Sequence, residues 1–370
     1  MLPFIDLKTQ YKRIESEVDA AIKNVLEHGR YILGPEVSEL EQKLAEFAGS
    51  KHCIGCSSGT DALLMPLMAY GVGPGDAVFT TPFTFFATAE TIALTGATTI
   101  FVDIDPDTYN IDPVKLEETI KKVNAEGVLK PKGIMPVDLF GLSADYDSIM
   151  PIADEYGLFV IQDACQALGA QYKGKVAPSM GHVGATSFFP AKPLGAYGDG
   201  GAVFTDDDKL NDVMRSILVH GQSSDKYNNV RIGLNARLDT IQAAILLQKL
   251  KLFPEEIELR QKVAKAYSQN LAGIVKTPYI PEDCVSVWAQ YCIQSERRAE
   301  IQAALQENEI PSACYYPIPL HLQTAFKHLG YSRGDMPVSE SVADKIFALP
   351  MHPYLDEEAI KKITDVIANA

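Results

Sequence analysis

Leu158-Phe159-Val160-Ile161-Gln162-Asp163-Ala164-Cys165-Gln166 is the stretch that decides the fold. A run this short and apolar, closed by a carboxylate, reads as a buried strand that delivers an acid at its end. Similar short β-rich runs lie at residues 77–80, 99–102, 133–137, 186–189 and 202–205. Helical stretches near 62–69, 86–94, 113–123, 146–155 and 207–219 alternate with them. Strand–helix alternation predicts an α/β architecture with a largely parallel sheet covered on both faces. In such a sheet ligands bind outside the carboxyl ends of the strands, so Asp163 faces a ligand crevice. The plainer alternative is an Asp that only caps the helix after it.

Outward from this centre, apolar spacing at Ile14, Val18, Ala21, Ile22, Val25 and Leu26 predicts an amphipathic helix that stops at His28-Gly29. A second helix starts after Gly34-Pro35, with Glu36 and Glu39 in its first turn. Past Asp239 the pattern predicts a helix over 240–252, a stop at Pro254 and another helix over 255–271. A strand at 287–293, a helix at 298–309, a Pro/Tyr-rich loop at 315–320 and a last helix after Asp356 make a smaller α+β unit. The expected division is a large unit, residues 1–252, and a small one, 253–370, with the N-terminal helix a candidate to pack on the small unit.

The chain has 370 residues, 46% of them hydrophobic, and a formal net charge of −15, a composition that excludes disordered, collagenous and disulfide-scaffold classes. No apolar run approaches the roughly 18 residues of a membrane span. The opening Leu2-Pro3-Phe4-Ile5-Asp6 shows no basic region followed by an apolar one. The expectation is a soluble, cytoplasmic protein without a membrane partner. Six thinly spread cysteines fit unpaired thiols in a reducing compartment. An acidic surface argues against nucleic acid, whose binding needs Lys and Arg to neutralise phosphates. Any anionic ligand must be held by local cations against the net field.

Three tempting motifs fail. Gly169 to Lys175 imitates a phosphate-binding loop, but Val176 stands where a hydroxyl must reach magnesium and Pro178 spoils the following helix. Gly71, Gly73 and Gly75 are spaced for a turn into a strand. Cys53 and Cys56 have no second pair to complete a zinc site, so no metal is expected there.

Other segments carry chemistry. Ser57-Ser58-Gly59-Thr60-Asp61 precedes an apolar helix, where free backbone N–H groups and hydroxyls form a phosphate cup, or merely an N-cap. In Ser187-Phe188-Phe189-Pro190-Ala191-Lys192-Pro193-Leu194-Gly195 a lysine sits among apolar residues and prolines, ahead of Gly198-Asp199-Gly200-Gly201. Desolvation there favours the neutral, nucleophilic amine, against the plainer reading of a buried structural lysine paired with an anion. A phosphate cup, a strand-end carboxylate and a dry lysine together fit pyridoxal 5′-phosphate (PLP): an anchor for its phosphate, an anion for its ring nitrogen and an amine for its aldehyde. Among Phe83, Phe85 and Phe86, Phe85 is the candidate to stack on the ring.

The order Tyr31-Ile-Leu-Gly34-Pro35, Ser58-Gly59-Thr60-Asp61-Ala62-Leu63, Asp163-Ala-Cys-Gln166, Ser187-Phe-Phe-Pro-Ala-Lys192, Gly198-Asp-Gly-Gly201, Gly233-Leu-Asn235-Ala-Arg237-Leu-Asp239 and Tyr316-Pro-Ile-Pro-Leu-His321 resembles the DegT-type family of sugar-nucleotide aminotransferases over nearly the whole chain. The resemblance implies the aspartate-aminotransferase-like fold (PLP fold type I) and a homodimer with shared active sites. It implies Lys192 and Asp163 as the catalytic pair, Lys192 holding the cofactor's aldehyde and moving the proton, Asp163 on the ring nitrogen. Gln166 would contact the ring's 3-oxygen and Phe85 its face. Gly59, Thr60 and Ser187 would hold the phosphate, with Asn235 reaching in from the partner subunit. Two positions depart from the family pattern: Tyr315 stands where many relatives have His, and Gln162 where Glu is common.

Lys192 sets the chain apart from the branch that carries histidine there and dehydrates sugars. The implied reaction takes the amino group of L-glutamate to a nucleotide-linked keto-sugar, foremost a UDP-linked 3-keto uronic sugar, for polysaccharide or amino-sugar biosynthesis. A 4-keto sugar on dTDP or GDP and a PLP-binding regulator are the alternatives. Arg237 is the candidate to grip a carboxylate bidentately, against a plain pair with Asp239. Arg231, Tyr316, His321 and Tyr31 are candidate substrate contacts; Arg231 as merely solvated and His321 as a helix cap are the plainer readings.

Overall fold

The computed structural model describes residues 2–225 and 227–370. At its centre lies a seven-stranded sheet. Its strands are β1 (His52–Cys56), β2 (Asp76–Thr80), β3 (Thr98–Phe101), β4 (Lys130–Met135), β5 (Phe159–Asp163), β6 (Val183–Ser187) and β7 (Gly201–Thr205). They lie in the order β1-β7-β6-β5-β4-β2-β3. Strands β2 to β6 pair in parallel, with helices in the crossovers from β2 as far as β5 and a helix-free crossover from β5 to β6. β7 runs antiparallel to both β6 and β1. Residues 188–200, between β6 and β7, form no helix, and this short connection returns the chain antiparallel. That connection carries Lys192.

Helices cover both faces. Pro113–Glu126 and Tyr146–Tyr156 pack one core around Phe79, Ile134 and Val160. Gly59–Ala69 and Asp208–Leu218 pack the other around Val78, Ile161 and Val203. The helix starts are fixed by side-chain caps, Ser58, Asp112, Asp145 and Asp207 each accepting from a first-turn N–H. Each such cap contributes about 1 kcal/mol. Helix Glu15–His28 ends, as expected, on Gly29 in the left-handed region. A short helix before it, Leu7–Arg13, has no periodic signature and comes from an Asp6 cap.

The stop expected at Pro254 does not occur. Thr240–Asn270 is one continuous helix of 31 residues with Pro254 inside it. An interior proline costs roughly 3 kcal/mol. Here Leu246, Leu247 and Phe253 are buried in one core while Val263, Ala264 and Tyr267 are buried in another, and that packing outweighs the proline. The C-terminal residues gather round a two-stranded antiparallel ladder, β8 (Tyr291–Gln294) with β9 (Ile346–Leu349). β8 starts later than the sequence predicts because Trp288 has a φ of 53°, incompatible with a strand. Helices Arg298–Glu307 and Glu357–Asn369 flank it.

The N-terminal segment touches both parts. Leu2 and Phe4 pack on C-terminal apolar clusters, and Gln10 Nε2 donates to the Glu256 carboxylate at 2.9 Å. Helix Glu15–His28 lies against the long helix through Val18 and Ile245. Among the described residues no helix is long and apolar enough to cross a membrane.

Candidate active site

A cavity of about 660 Å³ opens at the carboxyl ends of the parallel strands, lined on its floor by Gly59, Thr60, Asp163, Gln166, Ser187 and Lys192. Three loops converge there because each leaves the sheet at the same edge, after β1, β5 and β6. After β1 the chain turns directly into helix Gly59–Ala69. Ser58 caps it, its Oγ accepting from Asp61 N at 3.1 Å. The first-turn amides of a helix have no intrahelical acceptor, so those of Gly59 and Thr60 point free charge-stabilising dipoles outward. Asp61, an anion beside this cup, is turned back onto the Ser57 and Ser58 hydroxyls, 3.1 Å from Ser58 Oγ. Glycine is needed at 59, since a Cβ there would stand 2.6 Å from Ser187 Cβ and 3.2 Å from Cys165 Sγ.

Asp163 is buried and its carboxylate is aimed by two donors, Thr88 Oγ1 at 2.7 Å on Oδ2 and Cys165 N at 3.2 Å on Oδ1. Gln166 is held at both ends: its Oε1 accepts from Phe140 N at 2.8 Å and its Nε2 donates to Tyr316 OH at 2.9 Å. Burial raises the Tyr316 phenol above its ordinary pKa, so it stays protonated. Lys192 reaches the same floor from the bend after β6, where its own N–H donates to Phe189 O at 2.8 Å. Burial pushes its ammonium below the ordinary lysine pKa, opposed by the nearby Asp163 carboxylate. Cys165 is pushed well above the thiol range by burial and remains a thiol.

Phe85, 57% exposed, and Phe86 are both on the cavity wall, Phe86 also packing on Phe326, whereas Phe83 is core. The floor therefore fits the donor set of PLP: free amides for a phosphate, an oriented carboxylate, a desolvated amine and an aromatic face. Cys53 and Cys56 are buried free thiols, and no cluster of metal-ligating side chains occurs among the described residues.

Other candidates lie outside this cavity. Asn235 and Arg231 are exposed, and Tyr31 is 47% exposed. Arg237 pairs by backbone with Cys56, next to the cup, but its guanidinium donates to Asn235 Oδ1 and forms no ion pair with Asp239. His321 is not a helix cap and does not face the cavity. Its ring is fully buried, with Nε2 3.1 Å from Glu340 Oε1, so in this chain it braces the loop behind Leu320. Two contributors escaped the sequence reading. Thr88 shows only as one of several threonines in an apolar helix. Ile5 lines the cavity from the N-terminal segment, a contact no local pattern announces.

Residues 12–368 match the model of the DegT/DnrJ/EryC1/StrS aminotransferase family. The chain belongs to that family. Among its relatives is the UDP-2-acetamido-2-deoxy-3-oxo-D-glucuronate aminotransferase of Pseudomonas aeruginosa, 51% identical over 370 residues and covering 100% of both chains. The crystal structure of a DegT DnrJ EryC1 StrS aminotransferase from Brucella abortus superposes with a TM-score of 0.98 at 54% identity, covering 100% of this chain and 99% of that one. S. venezuelae DesV in complex with a ketimine intermediate superposes with a TM-score of 0.95 at 36% identity, covering 100% of this chain and 98% of that one.

Proposed function

We propose that this chain is a PLP-dependent aminotransferase that moves the amino group of L-glutamate to a nucleotide-linked keto-sugar, with UDP-2-acetamido-2-deoxy-3-oxo-glucuronate as the substrate. The observation that carries the reaction is the meeting of Lys192 and Asp163 on one cavity floor beside the Gly59–Thr60 cup. The substrate rests on the full-length similarity to the P. aeruginosa enzyme.

PLP, when bound, supplies an aldehyde that carries the amino group and a ring that accepts the electron pair. The chain's own parts follow from their chemistry. The Gly59 and Thr60 amides with Ser187 hold a phosphate. The Asp163 carboxylate, fixed by Thr88, keeps a ring nitrogen protonated. Lys192 Nζ, its ammonium disfavoured by burial, would take a proton from the substrate carbon and return it, as base and then as acid. Phe85 covers a ring face, and Tyr316, held by Gln166, borders the sugar end of the cavity.

The reading includes a homodimer. Tyr31, Ile32, Leu33, Val230 and Ile232 expose apolar surface that a second copy would cover. Asn235, Arg237 and Arg231 would then act in the partner's cavity. It also includes a division into a cofactor-binding unit, residues 1–252, and a small unit, 253–370. The test is direct: purified protein with PLP should be yellow, lose that colour with glutamate, and then aminate the UDP-linked 3-keto sugar, read by mass. Equal or better amination of a 4-keto isomer would overturn the substrate, and persistence of colour with glutamate would overturn the reaction.

A further inference from the structure

One fully buried carboxyl behind the cavity floor has no part in the chemistry above. Asp138 Oδ1 accepts from Tyr146 OH at 2.8 Å and from Ala144 N at 3.0 Å, and its Oδ2 accepts from Gln162 Nε2 at 2.7 Å. The other end of that amide, Gln162 Oε1, accepts from Met180 N at 2.9 Å. The backbone is tied to the same place: Asp138 N donates to Asp163 O and Asp163 N to Pro136 O, both at 2.9 Å. Thus the residue beside Asp163 in the chain, and the peptide of Asp163 itself, are both held by Asp138. The titratable groups facing it are Tyr146, Asp163 and Cys284. Burial raises its pKa to about 7, against hydrogen bonds from Gln162, Ala144 and Tyr146. A buried carboxyl is costly unless its acceptors are satisfied, and here every neighbour is a donor.

We propose that Asp138 is a positioning residue which, paired with Gln162, fixes the end of β5 and so sets the aim of Asp163 at the cofactor's ring nitrogen. The inference rests on the PLP reading above. It makes the residues at 138 and 162 interdependent. Glutamate at 162 beside Asp138 would bring two carboxylate oxygens into contact and force them to share a proton. Asparagine at 138 beside Gln162 would oppose two NH2 groups, or leave Met180 N without an acceptor if the glutamine turned over. Asparagine at 138 with glutamate at 162 restores a donor–acceptor match at every contact, with the negative charge moved by one side chain.

The experiment measures PLP dissociation constant, visible circular dichroism of the bound cofactor and melting temperature for the parent, Asp138→Asn, Gln162→Glu and the double variant. Each single change is expected to weaken PLP binding by about tenfold or more and to alter the dichroism band, and the double variant to recover to within roughly threefold of the parent. An Asp138→Asn protein indistinguishable from the parent overturns the proposal. So does a double variant that binds PLP no better than the single ones, even when its melting temperature is restored. If Asp138→Asn does not fold, Gln162→Glu against the double variant decides on the same terms, and a double variant that also fails to fold counts against the proposal. A parent that takes up no PLP overturns the function itself, and is told apart by being read first.

Discussion

The floor of the cavity and its rim are built on different terms. At the floor the orienting side chains already have partners within the chain, Asp163 with Thr88 and Cys165 N, Ser58 with Asp61, Gln166 between Phe140 and Tyr316, which leaves the Gly59 and Thr60 amides open to a ligand. At the rim Asn235 and Arg237 hold each other, Arg231 is exposed, and Ile232 stands 85% exposed. A floor fixed in advance needs no reorganisation when charge moves across it. Unspent donors and bare apolar side chains at the rim are what the proposed second copy would cover. The contrast teaches that the floor is oriented within one chain, while the rim, on the proposed homodimer, would be completed by a second.

The largest blow to the floor is Lys192→Ala. Turnover should fall by about 10⁴-fold, the upper range for losing a positioned proton carrier, with glutamate no longer bleaching the bound cofactor in stopped-flow absorbance. Asp163→Asn comes next, with kcat reduced on the order of 10²-fold to 10³-fold while nucleotide-sugar binding, read by calorimetry, stays near the parent value. At the rim, Arg237→Ala should raise the KM for the sugar by about tenfold to a hundredfold and leave kcat within a few-fold. Mixing that variant with Lys192→Ala subunits sharpens the contrast: at sugar concentrations well below the Arg237→Ala KM, half of the proposed dimers are mixed with one intact site each, so roughly a quarter of parental activity should return. No recovery would place rim and floor in the same chain.

The smallest effect lies beneath the floor. Lys249 is 1% exposed, donates to the carbonyl of Gly195 in the bend that carries Lys192, and stands 4.9 Å from the Tyr197 ring centroid. Burial pushes its pKa down to about 8, with Glu256 opposing. Between that value and the ordinary one the unfolded chain binds more protons than the folded one, so Lys249 makes stability rise with pH above about 8. Urea melts at pH 7.5 and 9.5 should show that rise in the parent, worth at most roughly 3 kcal/mol over the full range, and a flatter profile in Lys249→Met.

Much of the floor was legible because its parts are local. A strand ending in Asp163, a Ser-Gly-Thr helix start and a lysine between prolines each announce themselves within ten residues. Thr88 and Asp138 do not, since their value lies in contacts with β5 made across 75 and 24 residues of chain. The direction of β7 was hidden because an apolar run has no arrow, and a helix-free connection does not settle it: the one into β6 gives a parallel pair, the one into β7 an antiparallel one. The continuity of Thr240–Asn270 was hidden for the opposite reason, a strong local signal at Pro254 overruled by packing on both sides. His321 misled through position in a motif, its actual surroundings being set by Glu340, nineteen residues on.

That helix has a mechanical consequence. Its first turns are embedded with the sheet and its later turns with the β8–β9 ladder, so the two masses share one axle and neither can swivel without flexing it. The proline marks where flexing costs least, for the Leu250 carbonyl lacks the amide that would otherwise stiffen that turn. Lys249 on one side of that turn and Glu256 and Arg260 on the other are the buried charges that a bend in this rod would displace.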